Sequence, residues 1–519
     1  MPRVRGAVIA AALSLFLLSN RTTATAQPAS QKPNIVLILT DDMGWADPGF
    51  HGGNPDLTPN LDRLAKQGAR FSQFYAHSVC APTRSALMTG RYAFRNWMDW
   101  RSEDFGKPSY LAKLGLQLAH DQHGEPTRML HALDTNERTV AEVLQDAGYF
   151  TAILGKWHLG EWLPEHLPMG QGFDHQYGHY AWGIDYNNYT IPHNAPARFA
   201  VYDWHRNQKP LDEQGYSTDL IANEAVRLIA AQPKNRPFFL YVPFNAIHGP
   251  LEEIPRYLDQ YDKRSAALRC LDDAIGRIVG AIDQYGFADD TLLLVVNDNG
   301  GLREEFNKPY RGTKNTTFEG GVRVPCVMRW PGKIEPGTTN DGMMHVVDVL
   351  PTFAAIAGES PTGSRPLDGM DMSDVITGER PSPRSEIIFE VEGSVRLPTI
   401  RSGKYKLMGD ALYDIERDPS EATDIAAKHP GIVNRLKKQL TEVGKERPPL
   451  ATVIGDPPVL MEPPLPYVYG QRENEQVPTW LKRRVDAVRA KQPTSWPKGQ
   501  TPWPQAPSGA TIDYKGDGR

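Results

Sequence analysis

Four short apolar runs in this chain, Ile35 to Leu39, Tyr149 to Leu154, Phe238 to Phe244 and Thr291 to Val296, each break off into polar groups. The first leads to Asp41 and Asp42, the second to Lys156 and His158, the third to Asn245 and His248, and the fourth to Asp298 and Asn299. Continuous apolar runs of this length read as strands covered on both faces, the habit of parallel sheets. Between them lie stretches of helical period: Leu61, Leu64 and Ala65 behind Thr58-Pro59; Leu220, Ile221, Ala225, Leu228 and Ile229; Leu271, Ile275, Ile278, Val279 and Ile282. This alternation predicts an α/β fold with a large, mainly parallel central sheet. Open sheets of that kind bind ligands beyond the C-terminal ends of their strands. All four polar clusters fall at that edge, so the pattern that sets the fold also gathers the reactive groups.

A chain of 519 residues exceeds what one core usually supports. The expected organisation is a leader at 1–26, a catalytic domain at 27–384, a small α+β domain at 385–447 and a Pro/Trp-rich arm at 448–519. The leader reading rests on Arg3 and Arg5, an apolar run from Ala7 to Leu18 and Ala24-Thr25-Ala26 as a cleavage site. That run is too short to span a bilayer, and no later segment is long and apolar enough, so the mature chain is expected to lack a transmembrane segment and to be exported, periplasmic or secreted. Loss of Arg3, Arg5 and Arg21 takes the net charge from −5 to −8. A globally acidic chain is no nucleic-acid binder, and an anionic substrate needs a local basic cluster. The small domain is read from short strands at Ile387 to Val391, Val395 to Ile400, Tyr405 to Met408 and Ala411 to Ile415, with a helix from Pro430 to Val443.

Two stretches are candidate rims of a site. Residues 92–135 form a long excursion carrying Trp97, Trp100, Arg101, His120 and His123. Residues 170–194 are crowded with Tyr177, His179, Tyr180, Trp182, Asp185, Tyr186, Asn187, Asn188, Tyr189 and His193, a mix that suits sugar binding or a structural aromatic loop.

The metal-ligating candidates are Asp41, Asp42, Asp298 and Asn299, which offer only oxygen donors. Such a set suits a hard divalent cation, calcium ahead of magnesium, and disfavours zinc. Cys80-Ala81-Pro82-Thr83-Arg84 places a cysteine at or just before a helix N-terminus, an anion-binding position, with Arg84 one turn in and able to fork an oxyanion. A lone cysteine there is ordinarily just a small buried residue. Cys80, Cys270 and Cys326 make an odd count; if Cys80 is chemically converted, the other two can pair or remain buried thiols.

The C-x-P-x-R of Cys80 to Arg84 resembles the signature of type I formylglycine-dependent sulfatases, and the resemblance runs from about Pro33 to about Leu440. Gly155-Lys156-Trp157-His158-Leu159-Gly160, the spacing from Lys314 to Glu319, and Leu412-Tyr413-Asp414 with Asp418-Pro419 fit it as well. Stretches at 155–160, 172–174, 183–186 and 215–218 most resemble arylsulfatase B-like enzymes. The resemblance implies an alkaline-phosphatase-like sandwich with a smaller C-terminal antiparallel sheet and one helix. It implies that Cys80 is converted to formylglycine by a formylglycine-generating enzyme or an anaerobic sulfatase maturase, and that the aldehyde hydrate is the nucleophile. It places Ca2+ on Asp41, Asp42, Asp298, Asn299 and the converted Cys80. Arg84, Lys156 and Lys314 would clamp the sulfate, His248 would protonate the leaving oxygen together with Lys314, and His158 would take the proton that expels sulfate. The implied substrate is a sulfated saccharide. Two rivals stay open: a phosphoester hydrolase of the alkaline phosphatase superfamily, and a non-catalytic sulfated-glycan binder.

Overall fold

A computed structural model describes residues 32–96, 98–99, 116–120, 126–130, 132–160, 164–190, 202–361, 363, 365–394, 396–448, 479–481 and 483. The leader, Trp97, Trp100, Arg101, His123, His193 and nearly all of the arm lie outside the described residues.

The expected sheet is present and has ten strands. Its centre is five parallel strands in the spatial order Thr291–Asn297, Asn34–Thr40, Phe238–Pro243, Phe150–Lys156 and His175–His179. Cys326–Arg329 adds antiparallel to the first of these and His205–Arg206 to the last. Alternation along each central strand divides the interior in two. Ile35, Leu37 and Leu39 join Leu292, Leu294, Val296, Phe239 and Tyr241 in one core. Val36 and Ile38 join Leu293, Val295, Phe238, Leu240 and Val242 in the other. Helices Cys80–Thr89, Val140–Asp146 and Val349–Ile356 pack together on the first face, and Pro59–Gln67, Ser217–Ala231 and Lys263–Gln284 on the second. Strands buried on both faces need the continuous apolar runs that the sequence carries.

Over residues 170–190 the aromatic stretch is largely structural, the second of the two readings its composition allows. His175–His179 is a fully buried strand, and Tyr177, Tyr180, Tyr186 and Tyr189 are core residues. Tyr189 stacks on Trp204 with ring centres 4.7 Å apart, and Tyr186 on Tyr216 at the same distance. Rings and amides suit a sheet edge as well as a sugar, and here Trp204 and Tyr216 from the following segment cover them. Among the described members of that set, Trp182, Asn187 and Asn188 are left partly or fully exposed. In the long excursion, Leu116–His120 and Pro126–Leu130 pair as an antiparallel hairpin rather than an unbroken loop.

Four antiparallel strands, Glu386–Glu390, Thr399–Ser402, Tyr405–Met408 and Ala411–Asp414, form the C-terminal sheet, against which Pro430–Gly444 packs. Its apolar residues Ile387, Ile400, Leu407, Leu412 and Leu436 are continuous with the first core. Cys270 and Cys326 are free and buried, the buried-thiol alternative of the sequence reading.

A buried ionic knot ties the C-terminal sheet to the short helix Glu319–Val322. Lys406 Nζ lies 3.0 Å from Glu319 and 2.9 Å from Glu421, with all three side chains sealed from solvent. Burial raises the Glu319 carboxyl, but Lys406, Arg323 and Arg401 outweigh it and hold it at about 2. Lys406→Met leaves two desolvated carboxylates facing each other and is expected to cost about 3–5 kcal/mol of stability, read from the denaturant midpoint. A loss below about 1 kcal/mol would show the knot to be incidental.

Candidate active site

At the C-terminal edge of the central strands, the sequence candidates converge. Thr40 and Asn297 end neighbouring strands in register, and the Thr40 hydroxyl donates to Asn297 Oδ1 at 2.6 Å. Asn297 also accepts from the Met43 N–H and donates to the Met43 carbonyl, which fixes the turn bearing Asp41 and Asp42. Backbone bonds Asp41 N–H to Ala246 O (2.9 Å) and Ile247 N–H to Asp41 O (2.6 Å) carry the pairing past the strand ends and bring His248 alongside. Gly300 closes the Asp298-Asn299 turn against Gly320; a Cβ there would lie 1.8 Å from the Gly320 carbonyl oxygen. Asp42 and His158 both adopt left-handed backbone, with φ of 61° and 58°, a conformation costly for such residues and concentrated at functional sites.

Cys80 is the first residue of the helix Cys80–Thr89, as expected, and is 6% exposed. Burial pushes its thiol up, against the pull of Lys156 and Lys314, so an unmodified Cys80 is a protonated and poor nucleophile. The Thr83 hydroxyl, one turn in, donates to the Asp298 carbonyl at 2.6 Å and pins this helix to the opposite strand end.

Three carboxylates and three cations meet here, buried or nearly so. Lys156 Nζ donates to Asp41 Oδ2 at 2.6 Å, Lys314 Nζ to Asp42 Oδ1 at 2.6 Å, and Arg84 Nη2 to Asp298 Oδ2 at 2.8 Å and Asp41 Oδ2 at 3.1 Å. Arg84 Nη1 donates to the Lys156 carbonyl at 3.0 Å. The guanidinium expected to fork an oxyanion thus faces carboxylates, because Arg84 is wholly buried between two strand ends. Burial raises Asp41, but Lys156, His248 and Arg84 outweigh it and hold it well below the carboxylate range; burial and the neighbouring Asp41 push Asp298 up to about 7. Burial and Lys314 hold His248 down to about 4. Its Nδ1 lies 2.7 Å from the Gly249 carbonyl, so that nitrogen carries the proton, while Nε2 faces Asp42 Oδ2 at 4.0 Å. His158 lies two residues past Lys156, the last residue of its strand, and is held by its backbone N–H to the Tyr180 carbonyl at 3.0 Å.

Asp41 Oδ1, Asp42 Oδ2 and Asn299 Oδ1 are buried and accept no hydrogen bond. Three sealed, unpartnered oxygens are what a hard cation satisfies, and the donor chemistry of Asp41, Asp42 and Asn299 fits calcium. Asp298 is more fully engaged, its oxygens taken by Arg84 and by the Asp42 N–H at 3.4 Å. Ligating atoms of Asp41, Asp42 and His248 also lie within 4.8 Å of one another.

Asn297 and Thr83 were not singled out as site residues from sequence. An amide at the last position of a buried strand was a usable signal for the first; nothing in the sequence marks the second, whose partner is a backbone carbonyl more than two hundred residues away.

Residues 33–359 match the family model described as Sulfatase, and residues 313–446 match N-sulphoglucosamine sulphohydrolase, C-terminal. The chain is similar to N-acetylgalactosamine-6-sulfatase of Canis lupus familiaris, 32% identical over 415 residues covering 76% of this chain and 74% of that protein. It is also similar to arylsulfatase J of Mus musculus, 26% identical over 491 residues covering 82% and 78% respectively. Among solved structures it resembles Ps i-CgsB in complex with k-i-k-neocarrahexaose, with a TM-score of 0.68 and 28% identity over 80% of this chain and 94% of that one.

Proposed function

This chain belongs to the sulfatase family and is a sulfuric ester hydrolase, and from that premise we propose that it removes sulfate from a sulfated carbohydrate using formylglycine at position 80 and a calcium ion. The observation that carries the reading is the meeting of Cys80, three unpartnered oxygens and a balanced set of buried charges at one sheet edge. Conversion at Cys80 by a formylglycine-generating enzyme or an anaerobic maturase supplies the nucleophilic hydroxyl. Asp41, Asp42, Asp298, Asn299 and the converted residue 80 would hold the calcium ion, which when bound would supply charge neutralisation for the sulfate and lower the pKa of that hydroxyl.

The chain's own residues do the rest. Arg84 holds Asp41 and Asp298 in place, and Lys156 and Lys314 bring positive charge to where negative charge develops as the S–O bond breaks. The Lys314 ammonium, which Asp42 raises despite burial, keeps its proton throughout the working range. His248 is neutral in the free site with Nε2 open; the sulfate's negative charge raises the imidazole, which takes up a proton from solvent at Nε2 and gives it to the departing oxygen, while the Lys314 ammonium hydrogen-bonds that oxygen and keeps its own proton. His158 takes the proton from the second hydroxyl of residue 80. A phosphoester hydrolase with paired zinc ions needs more imidazole and carboxylate ligands than this oxygen-rich set offers. A non-catalytic binder has no use for the retained Cys80, Lys156 and Lys314.

The catalytic domain is assigned to 27–384, the small domain to 385–447 and the arm to 448–519. Export through the leader at 1–26 delivers the chain to the periplasm or the exterior; among the described residues no helix is long and apolar enough to cross a membrane. Galactose or N-acetylgalactosamine sulfates rank ahead of glucosamine sulfates, in keeping with the named substrate of the relative from Canis lupus familiaris. Among the described residues Trp182 is a ring placed to meet the sugar, since it is partly exposed and its ring centre lies 5.8 Å from that of His248. In a panel of sulfated saccharides, turnover of galactose-type sulfates is expected; hydrolysis of aryl sulfates with every saccharide refused would contradict the substrate class.

A further inference from the structure

Arg396 lies on the link between the first two strands of the C-terminal sheet, yet its side chain reaches the catalytic loops. Its Nε donates to the Asn315 carbonyl and its Nη2 to Asn315 Oδ1, both at 3.0 Å, a two-pronged grip on one residue. The other arm of the guanidinium pairs with Glu390 at 3.3 Å, and the Ser394 hydroxyl donates to the same carboxylate at 2.6 Å. Arg396 and Glu390 are both buried, with side chains 6% and 7% exposed, so this is a desolvated pair with defined geometry rather than a surface contact.

Asn315 has left-handed backbone, φ 73°, and its N–H donates to the Ser78 carbonyl at 2.8 Å, two residues before Cys80. On its other side is Lys314, whose own N–H is fixed to the Gly301 carbonyl and whose ammonium reaches Asp42. A second tie, Thr317 Oγ1 to Thr399 Oγ1 at 2.9 Å, joins the same loop to the C-terminal sheet. Among these contacts, Arg396 grips Asn315, which is bonded both to the segment ahead of Cys80 and, through the chain, to Lys314.

We propose that Arg396 is a positioning residue of the active site: its fork on Asn315 sets the Lys314 turn and the Ser78–Cys80 approach, so the C-terminal sheet completes the catalytic geometry. The inference rests on the catalytic reading of Lys314 given above. Small displacements of a group that must meet the departing oxygen cost up to about a hundredfold in rate. A lysine at 396 keeps the charge but cannot form the fork.

The test compares Arg396→Ala, Arg396→Lys, Asn315→Gly and Lys314→Ala in the full chain, with an aryl sulfate as probe and modification at Cys80 checked by mass spectrometry in each. Arg396→Ala is expected to lower kcat by roughly ten- to a hundredfold with KM changed by less than about threefold, and lysine is expected not to rescue it. Asn315→Gly keeps the left-handed backbone and the carbonyl and removes one acceptor. It should lose less, and the double variant should lose no more than Arg396→Ala alone. Full kcat in Arg396→Ala, or full rescue by lysine, would overturn the inference. Should Arg396→Ala fail to fold, unchanged kcat in Asn315→Gly would overturn it from the other side of the fork. Wild-type turnover in Lys314→Ala would instead overturn the reading of Lys314 beneath it.

Discussion

Replacing Cys80 by alanine is expected to lower turnover of an aryl sulfate by about 10⁴-fold or more while leaving the thermal midpoint almost unchanged. The two halves of this expectation have separate causes. Cys80 opens a helix whose capping and packing come from elsewhere: Thr83 anchors it to the Asp298 carbonyl, and Ala86, Leu87 and Met88 fill the first core. Alanine suits a helix start and removes little buried surface. The hydroxyls on the same helix offer no substitute for the chemical role. Thr83 and Ser85 are wholly buried, with hydroxyls already bonded to the Asp298 and Pro82 carbonyls. Appreciable activity in Cys80→Ala would mean that the reaction runs without residue 80. Collapse of the thermal midpoint would mean that its role is packing.

Stripping the enzyme with a chelator is expected to abolish activity and lower its thermal midpoint, both restored by calcium. Without a cation, Asp41 Oδ1, Asp42 Oδ2 and Asn299 Oδ1 remain sealed with nothing to satisfy them. A ligand present at a hundred times its dissociation constant stabilises by about 2.7 kcal/mol, enough to read as a shift of several degrees. Asp41→Asn keeps the shape but removes a charge that Arg84 and Lys156 both bond, and it should weaken calcium binding by more than about tenfold. Calorimetry on the variant separates this loss from a loss of catalysis. Restoration by zinc but not calcium would favour the Asp41, Asp42 and His248 grouping and a nitrogen ligand. Activity that survives exhaustive chelation would remove the cation from the account.

The strand ends were the most legible part of the sequence, because doubly buried strands need continuous apolar runs and the residues following them sit at the binding edge of the sheet. Asp41, Asp42, Lys156, His248, Asp298 and Asn299 could all be placed that way. His175–His179 could not: the letters of that strand carry no apolar run, and it is a strand because its neighbour Phe150–Lys156 offers a parallel partner in register. The aromatic stretch around it suits a sugar rim or a structural loop equally, since composition cannot tell a ring that meets ligand from one that meets Trp204 or Tyr216. Arg84 was placed on the correct helix turn, but its partners depend on which strands become neighbours. The contacts of Asn297, Thr83 and Arg396 join segments roughly eighty to more than two hundred and fifty residues apart, and local sequence is silent on them.

The central claim is that residue 80 is an aldehyde rather than a thiol when the enzyme works. Mass spectrometry of the tryptic peptide running from Phe71 to Arg84 of purified active enzyme measures this directly. The account predicts that the peptide has lost the mass difference between cysteine and formylglycine, and that it forms a hydrazone with a carbonyl reagent. A fully active preparation whose Cys80 is uniformly an alkylatable thiol would contradict it.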